Sequence, residues 1–231
     1  VQVAGTPEQI ARGERLAYGC SDCHATTMSQ LPLDGSAGNL LAGGPPVGTL
    51  YAPNLTPGGD MKNWSDGLII RAIREGIDDQ GRPLLVMASE PFSHLSDDDV
   101  QALVAYLRSQ PAVENDTPER NINLLGALFI GAGMFPTSAQ PPVTEKIVAP
   151  PVGTAEYGKY LVYATGCRDC HGPELDGSEN PFVPPGPSLV NSIPAWSEEQ
   201  FIALFRTGVN NTGRAVDPTF MPWKTYSHLF T

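Results

Sequence analysis

The segment 20-CSDCH-24 decides the fold, because it returns as 167-CRDCH-171 and the two copies use all four cysteines of the chain. A Cys-x-x-Cys pair can bind zinc, form a redox-active dithiol or, when histidine follows directly, attach a c-type haem. Zinc would require two pairs far apart in the chain to converge without the usual spacing of the second pair. A thioredoxin-like dithiol would need a βαβ context, which is missing around both motifs. Neither alternative explains why histidine follows the second cysteine both times, so the motifs favour haem.

Helical spacing explains how each motif would hold a porphyrin. Residues i and i+3 lie on one face of a helical turn, so both thiols reach the vinyl groups of one haem, and the next residue directs its imidazole at the iron. We therefore predict two covalently attached haem c groups. The thioethers form at Cys20, Cys23, Cys167 and Cys170, and the proximal iron ligands are His24 and His171.

The neighbourhoods of the two motifs repeat in one order, which indicates an internal duplication. Each motif follows a short helical stretch with a glycine and precedes LDGS, a Pro-x-Leu core and an amphipathic helix opened by Trp-Ser and closed by Arg-x-Gly. We predict that Ser65 and Ser197 cap these helices, that 197-SEEQ-200 forms a capping box, and that the closing glycines adopt a left-handed turn. Last in each copy comes a methionine, Met87 or Met221, followed by Ser-His-Leu at the same spacing.

These repeats predict an all-α protein with two helical domains in tandem, joined by a Pro-rich linker. The first domain covers residues 1–111, the linker with an apolar anchor segment covers 112–151, and the second domain covers 152–231. Only the first copy contains the helix-forming stretch 96-SDDDVQALVAYLRSQ-110, which has an N-cap serine and acidic residues at the favourable end of the helix dipole. We therefore expect the second domain to lack its C-terminal helix.

The sixth ligand of each iron must come from later in each copy. The candidates are the methionines Met28, Met61, Met87 and Met221 and the histidines His94 and His228. Met28 stands too close to the haem turn to reach the other face of the ring, and Met61 has no counterpart in the second copy. Met87 aligns with Met221, so we predict these two methionines as the distal ligands. The two histidines are the alternative ligands, and we expect them to be solvated or to cap helices.

The order of C-x-x-C-H, Pro-x-Leu, distal methionine and terminal helix resembles that of tandem class I cytochromes c. The stretch 40-LLAGGPPVGTLYAPNLTPGGDMKNWSDGLIIRAIREGIDDQGRPL-84 is similar to the first domain of the multihaem cytochrome c subunits of membrane-bound dehydrogenases for alcohols, gluconate and aldehydes. The resemblance implies class I cytochrome c folds for both domains and a role in electron transfer. It also implies that the carbonyls of Pro53 and Pro187 accept hydrogen bonds from the proximal histidines and so orient them.

Composition narrows the partners of this chain. Its net charge of −11 argues against nucleic acid, which is held by basic surfaces, and suits solubility or docking to a basic protein patch. The most apolar run, 124-LLGALFIGAGMF-135, is too short and too rich in glycine to span a bilayer, which needs roughly 20 apolar residues. We expect Leu124–Phe135 to be a buried or interfacial segment that associates with a membrane complex.

The expected function is that of a dihaem electron carrier in a respiratory chain, and the resemblance implies a periplasmic location. The protein would pass single electrons between a membrane-associated dehydrogenase or quinol-oxidising complex and a terminal oxidase or soluble cytochrome. No catalytic residue of its own is predicted. An alternative is a dihaem oxidoreductase of the peroxidase or thiosulfate dehydrogenase type, in which one iron has an open distal position. A further alternative is a structural subunit of a respiratory or photosynthetic complex.

Overall fold

The chain forms two compact helical units in a computed structural model that describes residues 2–36, 38–135, 137–178 and 185–229. Unit 1 ends at Val148 and unit 2 begins at Ala149. Helices dominate the described part of each unit, which confirms the predicted all-α class.

Unit 1 is built from a long N-terminal helix, shorter helices and a minimal sheet. Its helices are α1 (Pro7–His24), α2 (Asp66–Glu75), α3 (Ser89–Ser93), α4 (Asp97–Ser109) and α5 (Leu124–Gly131), and a 3-10 turn covers Asp60–Asn63. Strand β1 (Gly48–Thr49) pairs antiparallel with β2 (Asn121–Ile122), so that Gly48 lies opposite Ile122. The sequence did not predict α3 or this strand pair.

The helix boundaries of unit 1 follow from their caps. The Thr6 hydroxyl accepts a hydrogen bond from the backbone N–H of Gln9, and the Gln9 side chain accepts one from the backbone N–H of Thr6. Helix α1 therefore begins with a capping box. Ser65 caps α2 as predicted, and Ser96 caps α4 in the same way. Gly76 ends α2 in the left-handed region, at φ +65°, which confirms the predicted role of the closing glycine.

The core of unit 1 lies where α1 crosses α4. Gly13 of α1 sits so close to α4 that a Cβ atom placed on it would lie 1.9 Å from the carbonyl oxygen of Ala102. Leu103 and Val104 of α4 and Ile69 of α2 are almost completely buried around this crossing. Because the C-x-x-C-H motif forms the last turn of α1, this core holds the motif in place.

Unit 1 continues beyond the expected domain end at Pro111, because the following segment is hydrogen-bonded to the body of the unit. The backbone N–H of Asn123 donates to the carbonyl of Val47 at 3.1 Å, and that of Gln140 donates to the carbonyl of Glu75 at 2.9 Å. Residues expected as a linker thus lie on the surface of unit 1 up to its end at Val148.

The apolar run of this segment folds as α5 and turns most of its side chains outward. Gly126 is buried against Val47, whereas Leu124 is 77% exposed and Leu128 is 60% exposed. The structure excludes full burial of Leu124–Phe135, and the interfacial role of this segment stays a prediction.

Unit 2 shares with unit 1 a motif helix, a 3-10 turn, an amphipathic helix and a short helix after the methionine, in the same order. Its helices are α6 (Ala155–Ala164), α7 (Cys167–His171), α8 (Leu189–Ser192), α9 (Glu198–Thr207) and α10 (Trp223–Leu229), and a 3-10 turn covers Ile193–Ala195. Gly166 adopts φ +73° between α6 and α7, so the second C-x-x-C-H motif occupies a short helix of its own. In unit 1 the corresponding motif ends a continuous helix.

The cap predictions for unit 2 are confirmed at both ends of α9. Ser197 and Gln200 form the reciprocal hydrogen bonds of a capping box, and Gly208 ends the helix at φ +69°. Helix α10 follows the methionine as α3 does in unit 1, and the sequence did not predict it. Within residues 149–178 and 185–229, no helix corresponds to α4; Phe230 and Thr231 lie outside the described residues.

Candidate haem-binding sites

The first C-x-x-C-H motif places its histidine against a proline carbonyl. His24 is buried at the end of α1, and its Nδ1 lies 2.9 Å from the carbonyl oxygen of Pro53. Since a carbonyl can only accept, Nδ1 carries the proton and Nε2 presents a lone pair. Burial lowers the pKa of His24, although the bond to Pro53 acts in the opposite direction, and thus favours the neutral imidazole that binds metals.

The second motif has the same geometry. His171, at the end of α7, is buried and places Nδ1 at 2.8 Å from the carbonyl oxygen of Pro187. The glycine of each LDGS segment then binds the backbone of the histidine: Gly35 donates to the carbonyl of His24, and Gly177 donates to that of His171, both at 2.8 Å. In both units the proline loop therefore holds the imidazole, and the LDGS segment holds the backbone of the same histidine.

The cysteines stand on the turns expected for thioether formation, and their electrostatics differ from those of a reactive dithiol. Burial raises the pKa of Cys20 to about 12, and it raises the pKa of the other three thiols as well. Redox dithiols and zinc ligands act as thiolates, which a lowered pKa favours. Within the described ranges, no three His, Cys, Asp or Glu side chains are grouped to hold a metal ion. The raised pKa values of the four thiols are thus unlike those of a reactive dithiol.

The loop that leads to each methionine is built by the same hydrogen bonds. After α2, Leu84 donates to the carbonyl of Gly76 at 2.7 Å; after α9, Val216 donates to the carbonyl of Gly208 at 2.7 Å. Inside these loops the backbone N–H of Asp78 donates to the carbonyl of Arg82, and that of Asn210 donates to the carbonyl of Arg214, both at 3.0 Å. The two loops therefore share one fold.

Met87 and Met221 occupy equivalent positions at the ends of these loops, and both side chains are half-buried. The carbonyl of Met87 accepts from the backbone N–H of Ser89 at 2.9 Å, and that of Met221 accepts from Trp223 at 2.7 Å. Their assignment as distal ligands stays a prediction.

The other candidate ligands lie in different surroundings. Met28 is 51% exposed, whereas Met61 is 8% exposed and lines a small cavity in the core of unit 1 with Leu55 and Ile69. His94 lies at the surface with Nε2 at 3.5 Å from the carboxylate of Glu90, and His228 is exposed on α10. The structure does not place these histidines in buried surroundings like those of His24.

Sequence reasoning missed Asn54, which follows the proline that binds His24. Its side chain is fully buried and hydrogen-bonds to the segment after α4. The only signal in the sequence is that unit 2 has Ser188 at the equivalent position, so the two proline loops differ at this residue.

The fold and these sites agree with a comparison with known families. Residues 8–107 match the family described as cytochrome c oxidase, cbb3-type, subunit III. This part of unit 1 is therefore similar to a cytochrome c domain, and a cytochrome c domain implies covalently attached haem.

Similar proteins are named as cytochrome subunits of dehydrogenases. The cytochrome c subunit of the quinone-dependent alcohol dehydrogenase of Gluconobacter oxydans is 28% identical over 86% of this chain and 47% of its own length. The cytochrome subunit of the fructose dehydrogenase of Gluconobacter japonicus is 25% identical over 90% of this chain and 47% of its own length. The cytochrome c subunit of the gluconate 2-dehydrogenase of Pantoea cypripedii is 30% identical over 71% of this chain and 38% of its own length.

The chain thus spans less than half the length of these curated relatives. The predicted resemblance to cytochrome c subunits of dehydrogenases is confirmed.

Proposed function

We propose that the chain is a dihaem c-type cytochrome that transfers single electrons between a membrane-associated dehydrogenase or quinol-oxidising complex and a terminal oxidase or soluble cytochrome. The observation that carries the proposal is the repeated bond from histidine Nδ1 to a proline carbonyl, at 2.9 Å in unit 1 and 2.8 Å in unit 2. In both units the histidine that makes this bond is the last residue of the C-x-x-C-H turn. Because Nδ1 is used in the bond, Nε2 is the atom that would ligate the iron.

The roles of the residues follow from their chemistry. Haem c supplies a couple of ferric and ferrous iron that gains and loses one electron. The chain attaches one haem through Cys20 and Cys23 and the other through the second cysteine pair. Nε2 of each motif histidine would ligate the haem iron, and Met87 in unit 1 or Met221 in unit 2 would be the second protein ligand of that iron. The neutral thioether of methionine favours ferrous iron and raises the potential relative to two histidines.

Haem attachment can be tested by counting haems. The pyridine haemochrome spectrum and the intact mass of the purified holoprotein should give two haems per chain, and a double variant Cys167→Ala, Cys170→Ala should give one. A single haem in the unaltered protein would contradict the dihaem proposal.

The effect of carbon monoxide on the absorption spectrum distinguishes an electron carrier from a dihaem oxidoreductase. With a histidine and a methionine on each iron, the reduced spectrum should stay unchanged when the gas is added. A shift in about half of the haem would instead show an open iron and favour the alternative of a dihaem enzyme.

We place the protein in the periplasm, the side on which c-type cytochromes of this kind are matured. Across the described stretches of the chain, none of the helices combines the length and apolarity needed to cross a bilayer. We propose association with a membrane through a partner in a dehydrogenase complex, as the names of the relatives suggest, or through a terminal anchor outside this sequence.

Helix α5 is the surface that we assign to this partner. Leu124, Leu128 and Met134 are all more than half exposed, and no charged residue occurs between Arg120 and Glu145. The chain as a whole is acidic, and anionic lipid headgroups attract basic segments, so an apolar protein surface suits α5 better than a lipid surface. Exposed apolar patches of this kind mark interaction sites.

A charge on α5 should disrupt this contact. We expect Leu128→Asp to weaken co-purification with a dehydrogenase complex while both haems stay attached. Val152→Asp is the matched control, because Val152 is 76% exposed and lies in unit 2. Equal co-purification of the two variants would contradict a docking role for α5. If the unaltered protein bound lipid vesicles and Leu128→Asp lost that binding, α5 would dock to a lipid surface and not to a protein.

A further inference from the structure

The Pro53–Asn54 peptide bond is held at both of its polar ends. Its carbonyl accepts from Nδ1 of His24 at 2.9 Å, and its N–H, on Asn54, donates to the Thr117 hydroxyl at 3.1 Å. Because a peptide group is planar and rigid, fixing the N–H also fixes the direction of the carbonyl. Thr117 thus acts on His24 through one peptide unit, although the two side chains lie far apart in sequence.

The side chain of Asn54 secures this peptide further. Its amide donates to the carbonyls of Val113 at 2.8 Å and Asn115 at 3.2 Å, and its oxygen accepts from the backbone N–H of Thr56 at 2.9 Å and from its hydroxyl at 2.8 Å. All the hydrogen-bonding groups of this buried amide are used, so rotating it would leave buried polar groups without partners.

The hydroxyl of Thr117 is therefore joined to the imidazole of His24 by two hydrogen bonds in series, one at each end of the Pro53–Asn54 peptide group. In such a series the first bond polarises the peptide group and strengthens the second.

Unit 2 lacks the residues of this arrangement in its proline loop. Ser188 stands where unit 1 has Asn54, and its hydroxyl caps α8 by accepting from the backbone N–H of Asn191 at 3.3 Å. Gly186 instead brings its backbone close to the motif, with its N–H donating to the carbonyl of Cys170 at 2.8 Å. The two proximal histidines are therefore supported by different means.

We propose that Asn54 and Thr117 are positioning residues for His24, through which the segment after α4 sets the donor strength of the proximal ligand of the first haem alone. The inference rests on the proposed function, since it concerns the haem that His24 would ligate. A stronger hydrogen bond from Nδ1–H to the proline carbonyl makes the imidazole a stronger donor and stabilises ferric iron. Removing the Thr117 acceptor weakens that bond, so the potential of the first haem should rise.

The test is a redox titration of the holoprotein that resolves both haems. Thr117→Val removes the acceptor and keeps the shape of a side chain that is only half-buried. We expect the midpoint potential of one haem to rise and that of the other to stay constant, with Thr117→Ser restoring the original value. Met87→His, made in parallel, identifies which titration step belongs to the first haem. Thr117→Ala gives the same expected shift if the valine variant folds poorly.

A control separates ligand positioning from general stability. Asn123→Ala cuts another contact of the same segment, because Asn123 caps α5 and donates to the carbonyl of Pro46 at 2.7 Å, away from Pro53. It should lower the stability of unit 1 without moving either potential. If Thr117→Val also leaves both potentials unmoved, these hydrogen bonds only hold the segment and the proposal is overturned. A holoprotein without two haem couples would instead refute the dihaem function.

Discussion

Replacing Gly13 with alanine tests the helix crossing that forms the core of unit 1. The added Cβ would lie 1.9 Å from the carbonyl oxygen of Ala102 and 2.8 Å from Cβ of Tyr106. The first of these atoms belongs to a helix backbone, which cannot move aside as a side chain can, so α1 and α4 must separate by about 1.5 Å to restore contact distance. Such separation loosens the most buried part of the unit.

The expected change in the free energy of unfolding is the difference between two opposing effects. Overpacking a rigid core typically costs about 1–3 kcal/mol, and a backbone contact belongs at the upper end of that range. Exchanging glycine for alanine in a helix returns up to about 1 kcal/mol. We therefore expect Gly13→Ala to lower the free energy of unfolding by about 2 kcal/mol. For a unit of this size, each kcal/mol of that loss corresponds to a fall of roughly 4 °C or less in Tm, so the melting point should drop by several degrees.

Unit 2 supplies the matched control for this substitution. Gly158 occupies the equivalent position on α6, and a Cβ there would meet no atom within 4 Å. The same exchange should therefore leave Tm unchanged or raise it slightly, because only the gain in helix propensity remains. Calorimetry of the holoprotein measures both variants, and hydrogen exchange of the α1 and α4 peptides locates the effect. If Gly13→Ala were as stable as Gly158→Ala, the reasoning about the crossing would be refuted.

Three further predictions concern the sites themselves. Met87→His should lower the potential of the first haem and leave the second unchanged, since imidazole stabilises ferric iron more than a thioether does; constant potentials in a redox titration would exclude Met87 as a ligand. Gly186→Ala should disturb the second haem only, because its Cβ would lie 2.5 Å from the carbonyl oxygen of Cys170, and an unaltered spectrum of that haem would contradict this. Burial raises the pKa of Asp78, but hydrogen bonds and the charge of the neighbouring arginine outweigh it and leave the pKa below its ordinary value. The ionised Asp78 thus stabilises unit 1 above about pH 3.9 and loses this effect as the pH falls through the lowered pKa. Asp78→Asn, which copies Asn210 of unit 2, should weaken the pH dependence of unfolding at acid pH, and an identical acid profile would refute this account.

Local sequence was enough to predict several of the helix boundaries. A capping residue, a closing glycine or a motif histidine acts on groups within a turn or two, so Ser65, Gly76 and the capping box at Ser197 follow from spacing alone. Helices α3 and α10 were not predicted, because they are short and their residues show no apolar periodicity long enough to recognise. The break before α7 depends on Gly166 in a left-handed conformation, which a glycine permits without requiring.

What the sequence by itself determined was the pair of haem-attachment turns, since i, i+3 and i+4 neighbours share a helical face wherever the chain forms a helix. Only the tertiary structure decided how those turns are supported. The hydrogen bond from Asn54 to Thr117 joins residues 63 positions apart, and no periodic pattern in the sequence predicts such a pair. Likewise, the segment after Pro111 reads as a proline-rich linker, yet its backbone hydrogen bonds attach it to unit 1. Such contacts arise when packing brings distant backbone groups together, because buried donors and acceptors must then find partners.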